Sequence, residues 1–282
     1  MPKVGVVFRP QLPPERLKDY VTAAEAAGLD DVWLWEDCFL EGGMTTAAAA
    51  LAWTSSLRIG LGLMPVPFRN PALAAMEIST LARLFPGRFV PAAGHGVLSW
   101  MHQVGAGAAS PMMLLREWVT ATRALLHGET VTASGEYVRL AEVALDWPPS
   151  AVPPLLVGAR GPKTLALAGQ LADGLVLDVP ISPDGVASAI QQSAAVRPHD
   201  VVVYVLCGTG PGSEQRMAAE LGGSADCAAD RTATGSPGEV AATIARYAAS
   251  GATTVILQPA GDDPDVAATV ALAAAARDVL HR

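Results

Sequence analysis

The sequence predicts a closed (β/α)8 barrel forming a single domain over residues 1–282, on three observations. Short β-rich runs alternate with longer Ala- and Leu-rich runs of helical period, the pattern of consecutive βα units around a parallel sheet. Eight strand candidates occur, each followed by at least one helical run. No break in composition marks a second domain, and barrels of this kind use about 250 residues in one piece.

The first strand is expected at residues 3–8, where Val4, Val6, Val7 and Phe8 supply the β-formers. Further strands follow at 31–35, 57–63, 88–93, 154–157, 174–178, 201–206 and 253–257. Helices are expected near 13–28, 45–55, 71–84, 112–127, 162–171, 183–194, 213–221, 237–250 and 264–280. Ser236, Pro237 and Glu239 combine an N-cap, a proline at the first helical position and an acid at the third, which is a capping box. Residues 129–140 alternate around Ser134-Gly135 and read as a β-hairpin excursion between the fourth helix and the fifth strand. The proline-rich stretch from Asp146 to Pro154 is a rigid return path to that strand.

With 51% hydrophobic and 16% charged residues, the chain can bury a large core. A formal charge of −8 without a run of Lys or Arg argues against nucleic acid or an anionic membrane as partner. Cys38, Cys207 and Cys227 form no CxxC pair, which fits a reducing compartment and no structural zinc. Residues 89–115 lack Asp, Glu, Lys and Arg, but two histidines, Gln103, two prolines and several glycines interrupt them, so they do not read as a membrane span. The N-terminus reads as a first strand rather than a signal peptide, and the expectation is a cytoplasmic protein.

In such a barrel the residues just after each strand form the functional face. After strand two come Glu36 and Asp37. Alternation puts Val32, Leu34 and Glu36 on one face and Trp33, Trp35 and Asp37 on the other. If the smaller aliphatics line the barrel, Glu36 points into its mouth as a catalytic carboxylate; otherwise one of the two acids caps the next helix or stays solvated. After strand three, Gly60 and Gly62 allow the backbone to approach a flat ligand, with Leu63, Met64 and three stiffening prolines following. After strand four, Gly94-His95-Gly96 offers a sharp turn, backbone N–H groups and an imidazole; His95 and His102 lack metal-ligand spacing, and no metal is expected.

After strand five comes Ala159-Arg160-Gly161-Pro162-Lys163-Thr164. Pro162 suits the first helical position, which leaves the amides of Lys163, Thr164 and Leu165 without intrahelical acceptors. Arg160 and Lys163 are cations at the positive end of a helix dipole with no acid in the first turn. A bound phosphate resolves that conflict. The alternative is two exposed cations at an untidy helix start. Neither a Walker loop nor a Gly-x-Gly-x-x-Gly helix opening is present.

Seven stretches, in order, resemble the luciferase-like flavin- or deazaflavin-dependent oxidoreductases: residues 26–33, 57–62, 85–89, 94–96, 125–131, 161–163 and 172–174. The resemblance implies a bacterial-luciferase-like TIM barrel holding a flavin-type ring at the C-terminal mouth. In the coenzyme F-420 branch it implies a cis peptide supporting the ring at Gly62-Leu63 and a phosphate on Ala159 to Leu165. Many members of that branch carry Asp-His after strand two; this chain aligns Glu36-Asp37 there, so Asp37 stands at the histidine position. The chain is also trimmed after strand seven, which implies a small or open lid.

Three functions follow as expectations. The first is an oxidoreductase moving a hydride between the deazaflavin F-420 and a small organic substrate, with Glu36, Asp37 or His95 handling the proton. The second is an FMN-dependent monooxygenase using oxygen. The third is a flavin- or deazaflavin-binding protein without turnover. A small-molecule substrate and a homodimer are expected partners.

Overall fold

Eight parallel strands close into a barrel in this computed structural model, which describes residues 1–178, 180–222, 230–261 and 265–282. In chain order the strands are β1 (Lys3–Val7), β2 (Asp31–Leu34), β3 (Arg58–Pro65), β4 (Phe89–Gly94), the hairpin strands β5 (Val131–Ser134) and β6 (Arg139–Val143), β7 (Leu156–Gly158), β8 (Gly174–Leu177), β9 (Asp200–Cys207), β10 (Thr232–Ala233) and β11 (Thr254–Pro259). The ring runs β1, β2, β3, β4, β7, β8, β9, β11 and back to β1. Near its N-terminal half β9 pairs with β8; at Leu206 and Cys207 it pairs with β10 instead. The barrel thus opens between β8 and β9 toward its C-terminal mouth, with the two-residue β10 filling the gap.

The helices are α1 (Leu17–Ala26), α2 (Gly43–Trp53), α3 (Pro71–Leu84), α4 (Leu98–Gln103), α5 (Pro111–Leu126), α6 (Pro162–Leu171), α7 (Pro183–Ser193), α8 (Ser213–Glu220), α9 (Pro237–Ala249) and α10 (Val266–Leu280). Each of the eight expected barrel strands is present. The capping box forms at α9, Ser236 accepting from the Glu239 amide and Glu239 from the Ser236 amide at 2.8 Å. The hairpin is fastened by Glu117, whose carboxylate accepts the amides of Glu136, Tyr137 and Val138 at 2.9 Å each.

Two elements differ from expectation. Helix α4 is not among the expected helices; it is one and a half turns long, with no side-chain cap and no acid in its first turn, so nothing marks it in the sequence. Strand β10 was not expected, and two residues carry no periodicity. Position 264 of the last expected helix, like Cys227, lies outside the described residues; Cys38 and Cys207 are free thiols. Among the described residues no helix is long and apolar enough to cross a membrane.

The core has two parts. Val7, Trp33, Val90, Ala92, Leu156, Val176, Val202, Tyr204 and Ile256, all on strands, fill the barrel interior, with Trp35 and Leu63 packed on them toward the mouth. Val32, Leu34, Leu61 and Met64 belong to the larger cluster between barrel and helices.

Candidate active site at the barrel mouth

The interior is built around one large side chain. Trp33 points inward and lies edge-on to Tyr204, with ring centroids 5.8 Å apart, and Trp35 tilts onto the same Tyr204 at 5.9 Å. Space for the Trp33 indole comes from β3. A Cβ on Gly60 would sit 2.2 Å from that ring, and one on Gly62 would sit 2.3 Å from the Tyr204 hydroxyl and 2.8 Å from the indole. The flat group that fills the space beside Gly60 and Gly62 is the protein's own tryptophan, where a ligand ring was expected. The Gly62–Leu63 peptide is cis. The Tyr204 hydroxyl donates to the Gly62 carbonyl at 3.2 Å, and burial pushes its pKa well above the ordinary phenol value, so it stays a donor.

That inward Trp33 reverses the assignment of the two acids. Trp33 and Trp35 face the barrel, and Asp37 follows in the same phase; Val32 and Leu34 face the helices, and so does Glu36. Glu36 makes two hydrogen bonds with the Arg69 guanidinium and accepts the Gly43 amide at 3.0 Å, at the first turn of α2. Its oxygens are thus engaged at the start of α2 and by Arg69, on the helix side of the barrel and not at the mouth where it was expected. Arg69 also donates to Glu77 at 3.0 Å, and its carbonyl accepts Trp118 Nε1 at 2.8 Å, so the pair locks the β3 exit to α2, α3 and α5.

Asp37 is half-buried, and burial raises its carboxyl above the ordinary value while Arg9 opposes the rise. Arg9 follows β1. It is 7% exposed, donates to the Pro259 carbonyl at 3.0 Å, pairs with Glu220 and lies 6.0 Å from the centre of the Trp35 ring. Glu220, at the end of α8, also accepts the Gly261 amide at 2.8 Å and a 3.4 Å bond from the buried Gln258. The segment after β9 thus places the expected helix, α8, against the mouth through Glu220. Arg9, Gln258, Glu220 and Tyr204 were not singled out in the sequence. Arg9 and Gln258 carried a signal, the place of each directly after an expected strand.

On the opposite rim, Leu63 reaches over the barrel to Gly94 and Gly158, where a Cβ would lie 2.6 and 2.4 Å from its methyl carbons. These residues come from β3, β4 and β7 and form a shallow apolar cradle. Met64, also expected at the cofactor, turns outward into the helix-facing core, so its side chain is not at the mouth. His95 Nε2 lies 3.3 Å from Thr164 Oγ1, which joins the β4 exit to the start of α6; burial lowers the imidazole pKa below its ordinary value. Gly96 has φ +68° and lies against Pro65 and Met101.

At α6 the N-cap is Gly161, with no side-chain cap and no acid in the first turn. A Cβ on Gly161 would meet nothing within 4 Å, so the helix end is open. Leu165 donates to the Gly161 carbonyl at 3.0 Å, which leaves the Lys163 and Thr164 amides as the donors without an acceptor among the described residues. Ala159 is buried, its amide tied to the Val176 carbonyl at 3.2 Å, and Pro162 and Lys163 are exposed. Arg160 is not a free cation. Its guanidinium forms a fork with Asp178, after β8, with contacts of 2.9 and 2.8 Å from Nε. The charge conflict at this helix start is therefore answered in part by an acid 18 residues further along the chain. The residues present fit an anionic cofactor tail at the open amides, with Lys163 and the Thr164 hydroxyl beside it, and an apolar ring against the Leu63 cradle.

A parallel barrel whose mouth combines a half-buried acid, an apolar cradle and an open helix N-terminus belongs to the class of cofactor-binding βα barrels. The chain belongs to the luciferase-like monooxygenase family, whose model matches residues 3–219. It is 29% identical over 191 residues to a 5,10-methylenetetrahydromethanopterin reductase of Methanolobus tindarius, covering 68% of this chain and 58% of that protein. It is 32% identical over 185 residues to an F-420-dependent glucose-6-phosphate dehydrogenase of Nakamurella multipartita, covering 59% and 52%. The matches thus span a little over half the length of these curated relatives.

Among solved structures the fold matches an F-420-dependent secondary alcohol dehydrogenase in complex with an F-420–acetone adduct, with TM-score 0.84, 19% identity, and coverage of 99% of this chain and 100% of that one. It also matches the oxygenating constituent of 3,6-diketocamphane monooxygenase of Pseudomonas putida in complex with FMN, with TM-score 0.77, 16% identity and 97% of each chain.

Proposed function

We propose that the chain is an oxidoreductase that moves a hydride between coenzyme F-420 and a small organic substrate. The observation that carries this reading is the similarity to relatives named F-420-dependent glucose-6-phosphate dehydrogenase, together with two named 5,10-methylenetetrahydromethanopterin reductase. The FMN-containing fold neighbour supports the second reading, an FMN-dependent monooxygenase. Bound F-420 supplies a ring carbon that accepts or gives the hydride. The chain's own part is to hold the ring against Leu63, Gly94 and Gly158, to fix the anionic tail at Gly161 to Thr164, and to handle a proton at Asp37 Oδ. The free thiols of Cys38 and Cys207 suit the cytoplasm as the place of action.

Titrating the protein with each cofactor and following absorbance tests the reading; a saturable spectral change with F-420 and none with FMN is the expected result. The same titration checks the helix end. Lys163→Gln should weaken F-420 binding about tenfold, the scale of one lost charge-assisted contact. Asp178→Asn should strengthen it, because it releases Arg160 and removes a negative charge beside the phosphate. Unchanged affinity in both variants would make Lys163 and Arg160 ordinary surface charges.

A homodimer through α2 and α3 is part of the proposal. No charged residue occurs in α2, and the outward face of α3 carries Leu73, Met76 and Leu84, the last two 57% and 66% exposed. Around the ring α1 packs on α2 and α3 on α5, whereas α2 and α3 pack little on each other, so their exposed apolar side chains Trp53, Leu73, Met76 and Leu84 are available to a second copy. Met76→Glu is expected to convert the sedimenting species from dimer to monomer with the fold retained by circular dichroism. A wild-type monomer would exclude the dimer.

A further inference from the structure

The loop joining β2 to α2 exposes and buries the opposite groups from an ordinary surface turn. The Leu40 amide donates to the Asp37 carbonyl at 2.9 Å, closing a turn that leaves Phe39 and Leu40 pointing outward, 56% and 53% exposed. Directly after them, both carboxyl oxygens of Glu41 are buried and have no hydrogen-bond partner among the described residues. A free loop would lower its energy by the reverse arrangement, with the carboxyl in water and the apolar side chains covered. A buried carboxyl without a partner is uncommon and marks a strained or catalytic position, or one completed by a water, ion or ligand.

The charged groups around this loop are engaged elsewhere. Arg69 is held by Glu36 and Glu77, and Arg9 by Glu220. Asp37 and Cys38, on the loop itself, offer Glu41 no positive charge. Burial alone pushes the Glu41 carboxyl up to about 7, so near neutral pH much of it keeps its proton. In that form the group is a donor as well as an acceptor. Its loop leaves the barrel beside the β3 exit, where Leu63 begins the apolar cradle. A ligand with apolar faces and carbonyl acceptors at its edge matches both the exposed side chains and the unsatisfied acid.

We infer that Glu41 contacts the ligand: its carboxylic acid donates a hydrogen bond to an acceptor on the edge of the cofactor ring at the mouth, while Phe39 and Leu40 cover the ring's apolar surface. This rests on the cofactor reading of the mouth, and the ring carbonyls it requires are common to deazaflavin and flavin. Ionisation of Glu41 removes the donor and sets a negative charge against the acceptor, so affinity falls as pH rises through neutrality.

The test is equilibrium binding of F-420, and separately of FMN, to the wild-type protein, E41Q and E41L between about pH 5.5 and 8.5. Wild-type affinity for the cofactor that binds should fall about tenfold across that range. E41Q keeps a donor and cannot ionise, so it should bind nearly independently of pH, which also controls for titration of the cofactor. E41L should bind about tenfold more weakly than E41Q at every pH. Carbon-13 NMR of glutamate-labelled, cofactor-free protein, with the resonance assigned by its loss in E41Q, should show Glu41 titrating near 7 and shifting upward on binding. A shared pH profile for wild type and E41Q, or an ordinary carboxylate titration of Glu41, overturns the inference and leaves the cofactor reading standing. Failure of both cofactors to bind wild type at any pH overturns the cofactor reading, and the inference with it.

Discussion

Asp37→Asn is expected to lower turnover by roughly 10²-fold or more, the scale of a lost general acid or base, while leaving melting temperature and cofactor binding near those of the parent. Glu36→Gln should do the opposite. Its carboxylate is nearly enclosed, 10% exposed against Arg69 at 14%, so removing the charge strands a guanidinium and loosens the first turn of α2. A cost of about 3 kcal/mol in stability is the scale for breaking such a pair, moderated here because Arg69 keeps Glu77. Turnover per folded molecule should then stay within a few-fold of wild type. Because burial raises the Asp37 carboxyl above the ordinary value, the limb of the pH–rate profile assigned to it should lie on the alkaline side of an unperturbed aspartate and disappear in Asp37→Asn. Equal turnover losses in the two variants, or a loss only in Glu36→Gln, would place the proton carrier elsewhere.

The inversion of those two acids shows where the sequence stops being informative. The strands of a parallel barrel are apolar on both faces, so alternation divides Val32 and Leu34 from Trp33 and Trp35 without saying which pair lies inside. Small aliphatics inside was the natural expectation, because a closed eight-stranded barrel has little room for an indole. The room exists because Gly60 and Gly62 stand opposite Trp33, a compensation written on the neighbouring strand. The pairing of Arg160 is hidden from the sequence for a similar reason: its partner Asp178 lies one βα unit further on, where only the closed ring brings them together. By contrast, β1, β2, β3, β4, β7, β8, β9 and β11 were legible from local composition, and the α9 capping box from four consecutive residues. The unpartnered state of Glu41 had no sequence signal, since it depends on what every neighbour fails to offer.

Gly62→Ala is expected to destabilise the protein before any cofactor is added. The new Cβ would lie 2.3 Å from the Tyr204 hydroxyl and 2.8 Å from the Trp33 ring, both in the packed interior of the barrel. Overpacking of this kind costs about 1 to 3 kcal/mol, because neither ring has a second rotamer to occupy without displacing its neighbours. Combining the substitution with Tyr204→Phe separates the two contacts. Removing the hydroxyl relieves the shorter one and also deletes the 3.2 Å bond to the Gly62 carbonyl, so the double variant should recover part of the loss but not reach the parent. A different outcome identifies a different occupant: if cofactor-free Gly62→Ala melts with the wild type and the defect appears only in cofactor binding, the space beside Gly62 belongs to the ligand ring, and Trp33 and Tyr204 must yield to admit it. The melting curve of the cofactor-free protein therefore decides whether the β3 glycines serve the barrel's own aromatic packing or the site above it.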